Sequence, residues 1–225
     1  MNKIRAVIFD FDGTLTKSNE NIWKKLYLKL GLLVDKNSNY YKSYIDFINK
    51  KYDYHSWVKV NEDDFKKGGL TESIFYEIAG EYELFNGVIE TIKLLRKQNI
   101  KLYILSGNFV QAIKYILGEN KDYFNDVSAN NIYFDNSSFI KEITPTIYDF
   151  EGKATYIKNI MINENLSPEE VCFVGNGDND IYAYRAGVKT ICINPVNAKE
   201  DDEMIWSNVI KNCKNLEEIL KFIVK

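Results

Sequence analysis

The stretch Ile4-Arg5-Ala6-Val7-Ile8-Phe9-Asp10-Phe11-Asp12-Gly13-Thr14 decides how the rest of the chain is read. Ile4 to Phe9 is apolar apart from Arg5, short, rich in β-branched and aromatic residues, and stops at an aspartate. A strand buried on both faces reads this way, as in a parallel sheet. The same pattern recurs at Lys101–Leu105, ending at Ser106-Gly107; at Val171–Val174, ending at Gly175-Asn176-Gly177; and at Thr190–Ile193, ending at Asn194-Pro195. Apolar residues at helical spacing lie between them: Val88, Ile89, Ile92, Leu94 and Leu95 before the second run, and Val110, Ile113, Ile116 and Leu117 after it. Strand and helix in alternation predict an α/β fold with a parallel sheet and right-handed crossovers. Polar residues follow each of the first three strands, at the carboxyl ends where open α/β sheets bind ligands.

Residues 17–84 interrupt the alternation. Trp23, Leu26, Tyr27 and Leu30, then Tyr40, Tyr41, Tyr44, Ile45 and Phe47, then Phe65, Ile74, Phe75 and Ile78 recur mostly at three and four, which predicts helices punctuated by Asp35–Asn39 and Gly68-Gly69. These helices either form a lid over the strand ends or simply cover a sheet face; because the segment leaves directly from the Asp10–Thr16 turn, we expect the lid, with residues 1–16 and 85–225 as the core domain. Ile132, Phe134, Phe139, Ile140 and Ile143 around Asp135-Asn136-Ser137-Ser138 predict a hairpin over 131–145, and Leu216–Val224 predicts a short helix.

Composition narrows the chemistry. The chain has 225 residues, 45% of them hydrophobic and 27% charged, with a formal net charge of −3. That is an ordinary globular composition and argues against a sequence-wide basic footprint for nucleic acid or anionic lipid. His55 is the single histidine, so a two-histidine mechanism or a His-rich zinc site is excluded. Cys172, Cys192 and Cys213 are odd in number and lack a C-x-x-C, as expected of free thiols in a reducing compartment. No apolar run approaches the roughly 18 residues a membrane span needs. Met1–Arg5 does not read as a signal peptide, so a cytoplasmic protein is the expectation.

The strand ends carry the candidate chemistry. Asp10 and Asp12 just past a buried strand would repel each other and resist burial unless a cation lies between them. A hard, oxygen-seeking ion such as Mg²⁺ fits, and Gly13 eases the backbone turn. Ser106-Gly107-Asn108 offers a hydroxyl and successive N–H groups for an anion. Gly175-Asn176-Gly177-Asp178-Asn179-Asp180 places Asn176 and Asp180 four apart, both able to face the first carboxylates.

In this order, Asp-x-Asp-Gly-Thr, Ser106, Lys153 and Gly-Asn-Gly-x-Asn-Asp resemble the haloacid dehalogenase superfamily, specifically its phosphoserine phosphatase-like branch. The resemblance runs from Asp10 to Asp180 and on into Thr190–Ile193. Lys153, 23 residues before Asn176, takes its meaning from that place. The resemblance implies a Rossmann-like parallel sheet core, strand order 5-4-1-2-3, with a small helical cap inserted after the first strand. It implies a Mg²⁺-dependent phosphatase acting on a small-molecule phosphomonoester. Asp10 would be the nucleophile and Asp12 the general acid and then base. Ser106 and the Gly107 N–H would hold phosphoryl oxygens, and Lys153 would neutralise charge. Asn108, Asn179 and Glu20 would contact substrate or phosphate. The metal would be held by Asp10, Asp12 through its carbonyl, Asn176 and Asp180. Asn176 departs from the aspartate that many members carry, which predicts weaker metal binding.

The substrate is less defined. Glu20 is offset by about one residue from the substrate-binding glutamate of phosphoserine phosphatases, and no arginine lies between Arg5 and Arg96 to grip a substrate carboxylate bidentately. Trp23, Tyr40, Tyr41, Tyr44, Tyr54 and Trp57 either pack the cap helices together or line a pocket for a cation such as phosphocholine. Two competing activities stay open: a phosphotransferase or mutase on the same aspartyl phosphate, and a non-catalytic phosphometabolite-binding protein. No nucleic-acid or membrane partner is expected, and the chain is a monomer or homodimer.

Overall fold

The computed structural model describes residues 3–18 and 20–224. Ala6–Phe9 forms β1 with every residue fully buried, as its unbroken apolar run requires. It pairs in parallel with β2 (Lys101–Phe109) on one side and β5 (Val171–Gly175) on the other, Ile8 lying between Tyr103 and Phe173. Beyond β2 comes β3 (Asp126–Phe134), and beyond β5 come β6 (Lys189–Ile193) and β7 (Asn208–Ile210), all parallel. β4 (Ile140–Thr144) closes the other edge as an antiparallel hairpin with β3. The full order is β4-β3-β2-β1-β5-β6-β7, whose five central strands follow 5-4-1-2-3 in chain order of the parallel strands. β7 gave no sequence signal: three residues at an edge are too few to show a period.

Helices cover both faces. On one, Val7 and Phe9 pack against α5 (Val88–Lys97), α6 (Val110–Leu117) and the C-terminal α8 (Leu220–Ile223). The expected helix over 216–224 is a 3-10 turn at Leu216–Ile219 that widens into α8. On the other face, Ala6 and Ile8 pack against α7 (Gly152–Glu164) and the 3-10 segment Asp180–Ala186.

Four helices lie between β1 and α5: α1 (Ile22–Lys29), α2 (Asn39–Ile48), α3 (Tyr54–Lys67) and α4 (Glu72–Ala79). Each starts at a residue whose side-chain oxygen accepts an N–H of the first turn: Asn21, Ser38, Asp53 and Thr71. They bury Trp23, Tyr27, Trp57, Phe65 and Phe75 in a third cluster shared with Phe109 on β2 and Ile140 and Ile143 on β4. Glu62, 3% exposed, fastens the helices to the hairpin by accepting the Ile143 N–H at 2.7 Å. Among the described residues no helix is long and apolar enough to cross a membrane, and the three cysteines are buried free thiols.

Candidate active site

Asp10 leaves β1 with its N–H donated to Val174 O at 2.8 Å, so the ladder with β5 carries the backbone into the site. Three successive amides, of Thr14, Leu15 and Thr16, then converge on Phe11 O. Gly13 sits at φ 76°, in the left-handed region where a β-carbon is penalised. This tight turn brings Asp12 back beside Asp10.

Lys153, in the first turn of α7, is fully buried. Its ammonium donates to Asp10 Oδ1 at 2.9 Å, to Asp180 Oδ1 at 2.6 Å and to Leu105 O at 3.3 Å. Asp180 Oδ2 accepts the N–H groups of Asn176 and Gly177 at 2.8 and 2.9 Å. Both Asp180 oxygens are therefore engaged, and Asp180 shapes the Gly175–Asp180 loop and shares Lys153 with Asp10. Gly175 permits this, since a β-carbon there would meet the Asp180 carboxyl at 2.6 Å.

Asn108 is fully buried, its amide nitrogen donates to both oxygens of Asp12 at 2.9 and 3.1 Å, and its Oδ1 accepts the Phe109 N–H. Its side chain thereby orients Asp12. β2 does not stop at Leu105 as expected but runs through Ser106–Asn108 to Phe109, with a register shift against β3. The amide of Asn130, on β3, donates to Gly107 O at 2.7 Å and Asn108 O at 3.1 Å, satisfying carbonyls that the shifted ladder leaves.

These residues face a cavity of about 320 Å³. Asp10, Asp12, Ser106, Gly107, Asn176 and Asn179 line it from the sheet side. Trp23 and Trp57, from α1 and α3, and Tyr40 and Tyr44, from α2, line it from the helical side. Trp23 Nε1 donates to Gly107 O at 3.0 Å, so the helical segment touches the loop of Ser106 directly. The aromatic residues do both things the sequence left open: Trp23 and Trp57 pack at 5.2 Å between ring centroids and also form the wall. Glu20 is elsewhere; its carboxylate pairs with Lys24 at 2.7 Å, and the neighbouring Asn21 takes the place on the cavity.

Asp149 escaped the sequence reading. Its side chain is 5% exposed, lies 4.0 Å from Lys153 Nζ, and accepts from Asn179 Nδ2 at 3.1 Å and from the Phe150 N–H at 2.9 Å, both on Oδ1. Its other oxygen lies over Gly107, where a β-carbon would sit 2.4 Å away. The one available signal was its position one helical turn before Lys153.

The electrostatics are dominated by buried carboxyls around one buried ammonium. Burial, then the Asp180 carboxylate, push the Asp10 carboxyl well above the ordinary carboxylate range, while Lys153 pulls it back. Burial raises Asp12 to about 7 against the hydrogen bonds of Asn108 and the field of Lys153. Burial also raises Asp149. Lys153 is itself raised: burial opposes its charge, but Asp10, Asp180 and Asp149 outweigh that. Among the described residues no three His, Cys, Asp or Glu side chains converge as a metal cluster. The oxygen-bearing residues lining the cavity at the strand ends are instead mixed: Asp10 and Asp12 bring carboxylates and Asn176 an amide, whose Oδ1 accepts from Thr14 Oγ1 at 3.2 Å. An all-oxygen set with few carboxylates suits a hard cation that keeps waters.

The chain is similar to known phosphatases in sequence and in fold. The chain is 25% identical over 226 residues to a phosphoserine phosphatase of Campylobacter jejuni subsp. doylei, covering 98% of this chain and 100% of that one. It is 30% identical over 133 residues to the phosphoserine phosphatase of Saccharomyces cerevisiae, covering 55% of this chain and only 43% of the yeast protein. Among solved structures, a phosphoserine phosphatase holding a phospho-aspartyl intermediate analogue superposes with a TM-score of 0.77 at 20% identity, covering 99% of this chain and 100% of that one. A HAD family hydrolase from Salmonella enterica superposes with a TM-score of 0.80 at 15% identity, covering 99% and 72%; both establish the fold. A family match to haloacid dehalogenase-like hydrolases spans residues 4–187, from the start of β1 past the Gly175–Asp180 loop, and the chain belongs to that family.

Proposed function

We propose that the protein is a Mg²⁺-dependent phosphatase that hydrolyses a small-molecule phosphomonoester through a phosphorylated Asp10. The observation that carries this reading is the buried Lys153 ammonium bridging Asp10 at 2.9 Å and Asp180 at 2.6 Å beside an Asp12 held by Asn108. Mg²⁺ would be held by Asp10, the Asp12 carbonyl and Asn176 Oδ1, and would supply positive charge against the phosphoryl oxygens. Lys153 lowers the charge on Asp10 enough for a carboxylate to approach a dianion. Ser106 Oγ and the Gly107 N–H receive the phosphoryl oxygens.

Asp10 attacks phosphorus, the bond from phosphorus to the ester oxygen breaks, and Asp12 gives its proton to the departing alcohol. A carboxyl raised to about 7 still carries that proton near neutrality. Asp12, now a base, takes a proton from water, which attacks the aspartyl phosphate; inorganic phosphate leaves and Asp10 is restored. We assign residues 17–84 as a cap over a core of 1–16 and 85–225, its closure excluding water from the first displacement. The contact of Trp23 with Gly107 and the aromatic wall support that assignment. Three unpaired thiols support a cytoplasmic setting.

The test is turnover of an aryl phosphate with and without Mg²⁺, in wild type and Asp10→Asn. Turnover should require the metal and fall by about 10⁴-fold or more in the variant. Beryllofluoride should add to Asp10 alone. Wild-type rates in Asp10→Asn, or an adduct on another residue, would overturn the proposal.

A further inference from the structure

The half of the cavity that must hold the alcohol portion of the ester is aromatic and carries no positive charge. Trp23, Tyr40, Tyr44 and Trp57 supply its wall, and among the described residues no lysine, arginine or histidine lines it. The two lysines of α1 beside Trp23 are engaged outside it: Lys24 pairs with Glu20 at 2.7 Å, and Lys25 with Glu81 at 3.1 Å. Lys153 lies on the phosphate side, fully buried and shared among carboxylates.

The opposite wall adds negative charge. Asp149 and Asp178 line the cavity in addition to Asp10 and Asp12. Asp149 is 5% exposed and turns Oδ2 over Gly107. Asp178 stands at the exposed mouth close to Tyr44, whose phenol is pushed upward by burial and then by that carboxylate. A leaving group bearing its own carboxylate would meet two carboxylates and no cation.

We propose, on the footing of the phosphatase reading above, that the ester is the phosphate of a small amino or quaternary-ammonium alcohol without a carboxylate, its cation seated among Trp23, Tyr40, Tyr44 and Trp57 with Asp178 at the mouth. Aromatic faces attract such cations more strongly as water is excluded, and here the rings are rigid. Trp23 is pinned through Nε1 to Gly107 O, and Trp57 is 7% exposed and packed on Trp23. A cavity of about 320 Å³ takes a phosphate and a group of a few carbons. The negative field that disfavours a carboxylate favours a cation, and the cation of such an ester partly offsets the repulsion that its own phosphate dianion meets there.

The experiment compares kcat/KM for phosphocholine, its neutral isostere 3,3-dimethylbutyl phosphate, phosphoserine and p-nitrophenyl phosphate, with Mg²⁺. The cationic ester should exceed the isostere by about tenfold or more, the range expected of a partly desolvated cation–π site. Phosphoserine should be slower than the cationic ester. Trp57→Leu and Asp178→Asn should each shrink the ratio of cationic ester to isostere, a ratio taken within one variant and so independent of how much of it folds. Choline should inhibit p-nitrophenyl phosphate hydrolysis by wild type at lower concentration than 3,3-dimethylbutanol, a comparison that needs no variant. Equal kcat/KM for ester and isostere alongside aryl phosphate turnover would overturn this inference alone. Phosphoserine preferred over phosphocholine would do the same. No turnover of any ester would overturn the phosphatase reading and this inference with it.

Discussion

Asn176 occupies the loop position at which many family members place an aspartate, and its neutral amide is the residue-scale feature with the most direct consequence. An amide oxygen ligates a hard cation but adds no charge, so affinity falls with the charge of the ligand set. Asn176→Asp should lower the Mg²⁺ concentration for half-maximal turnover by about tenfold. A metal titration of aryl phosphate hydrolysis checks this, and an unchanged midpoint refutes it. Asp12 supplies a second prediction. Its carboxyl titrates near 7 in the fold and near 3.8 when unperturbed, so the folded form holds this proton more tightly than the unfolded chain. Stability from this group is fully present below about 4 and is lost as pH rises toward 7. In chelator, the melting temperature should therefore drop between pH 5 and 7.5, with Asp10 and Asp149 acting in the same direction. The carboxylates held low by partners, such as Glu83 by Lys17 and Glu170 by the Ser167 N–H, titrate below that window. Asp12→Asn should flatten the slope; a melting temperature that rises with pH would contradict the assignment.

At the scale of elements, the hairpin β3–β4 and helix α3 act as one unit. Glu62 accepts from Lys66 at 2.6 Å, from Lys59, and from the Ile143 N–H at 2.7 Å. Ile140 N–H reaches Leu70 O at 2.9 Å, and Thr71 bridges Phe139. Both lysines retain solvent when Glu62 is removed, but the buried Ile143 amide does not. Glu62→Ala should cost about 1–3 kcal/mol, the penalty of an orphaned buried donor. Urea unfolding measures it, and a loss below about 0.5 kcal/mol would show that water replaces the carboxylate. The strands ending at Phe9, Gly175 and Ile193 were legible because each buried run gives way within two residues to a polar one. The end of β2 was not. Ser106-Gly107-Asn108 has turn composition, and the partners of its carbonyls come from far along the chain, from Asn130, 22 residues after Asn108, and from Trp23.

Across the whole molecule, the site draws on β1, β2, β5 and α7 from the sheet and its crossovers, and on α1, α2 and α3 from the helical segment. A ligand that bridges them stabilises all of them together. Beryllofluoride with Mg²⁺ at about a hundred times its dissociation constant should add about 2.7 kcal/mol. That amounts to a shift of about 5–10 °C in melting temperature for a domain of this size. Scanning calorimetry should show a single transition moved upward. Two transitions, of which only one moves, would show that the helical segment takes no part in binding.

The sequence alone determined the α/β class, the strands that lead to Asp10 and to the Gly175–Asp180 loop, and the candidates Asp10, Asp12 and Ser106, while Lys153 took its meaning from the family resemblance. These follow from composition and order along the chain, which local physics controls: apolar runs bury, and polar residues collect where strands end. Only the tertiary structure decided that Asn108 orients Asp12, that Asp180 holds a loop and a lysine, that Asp149 stands over Gly107, and that Trp23, Tyr44 and Trp57 face the chemistry. Such roles depend on which way a side chain points and what distant residue meets it. Asp12 and Asn108 are 96 positions apart. Periodicity assigns a residue to a face, but a partner at that separation is chosen by the packing of the whole fold.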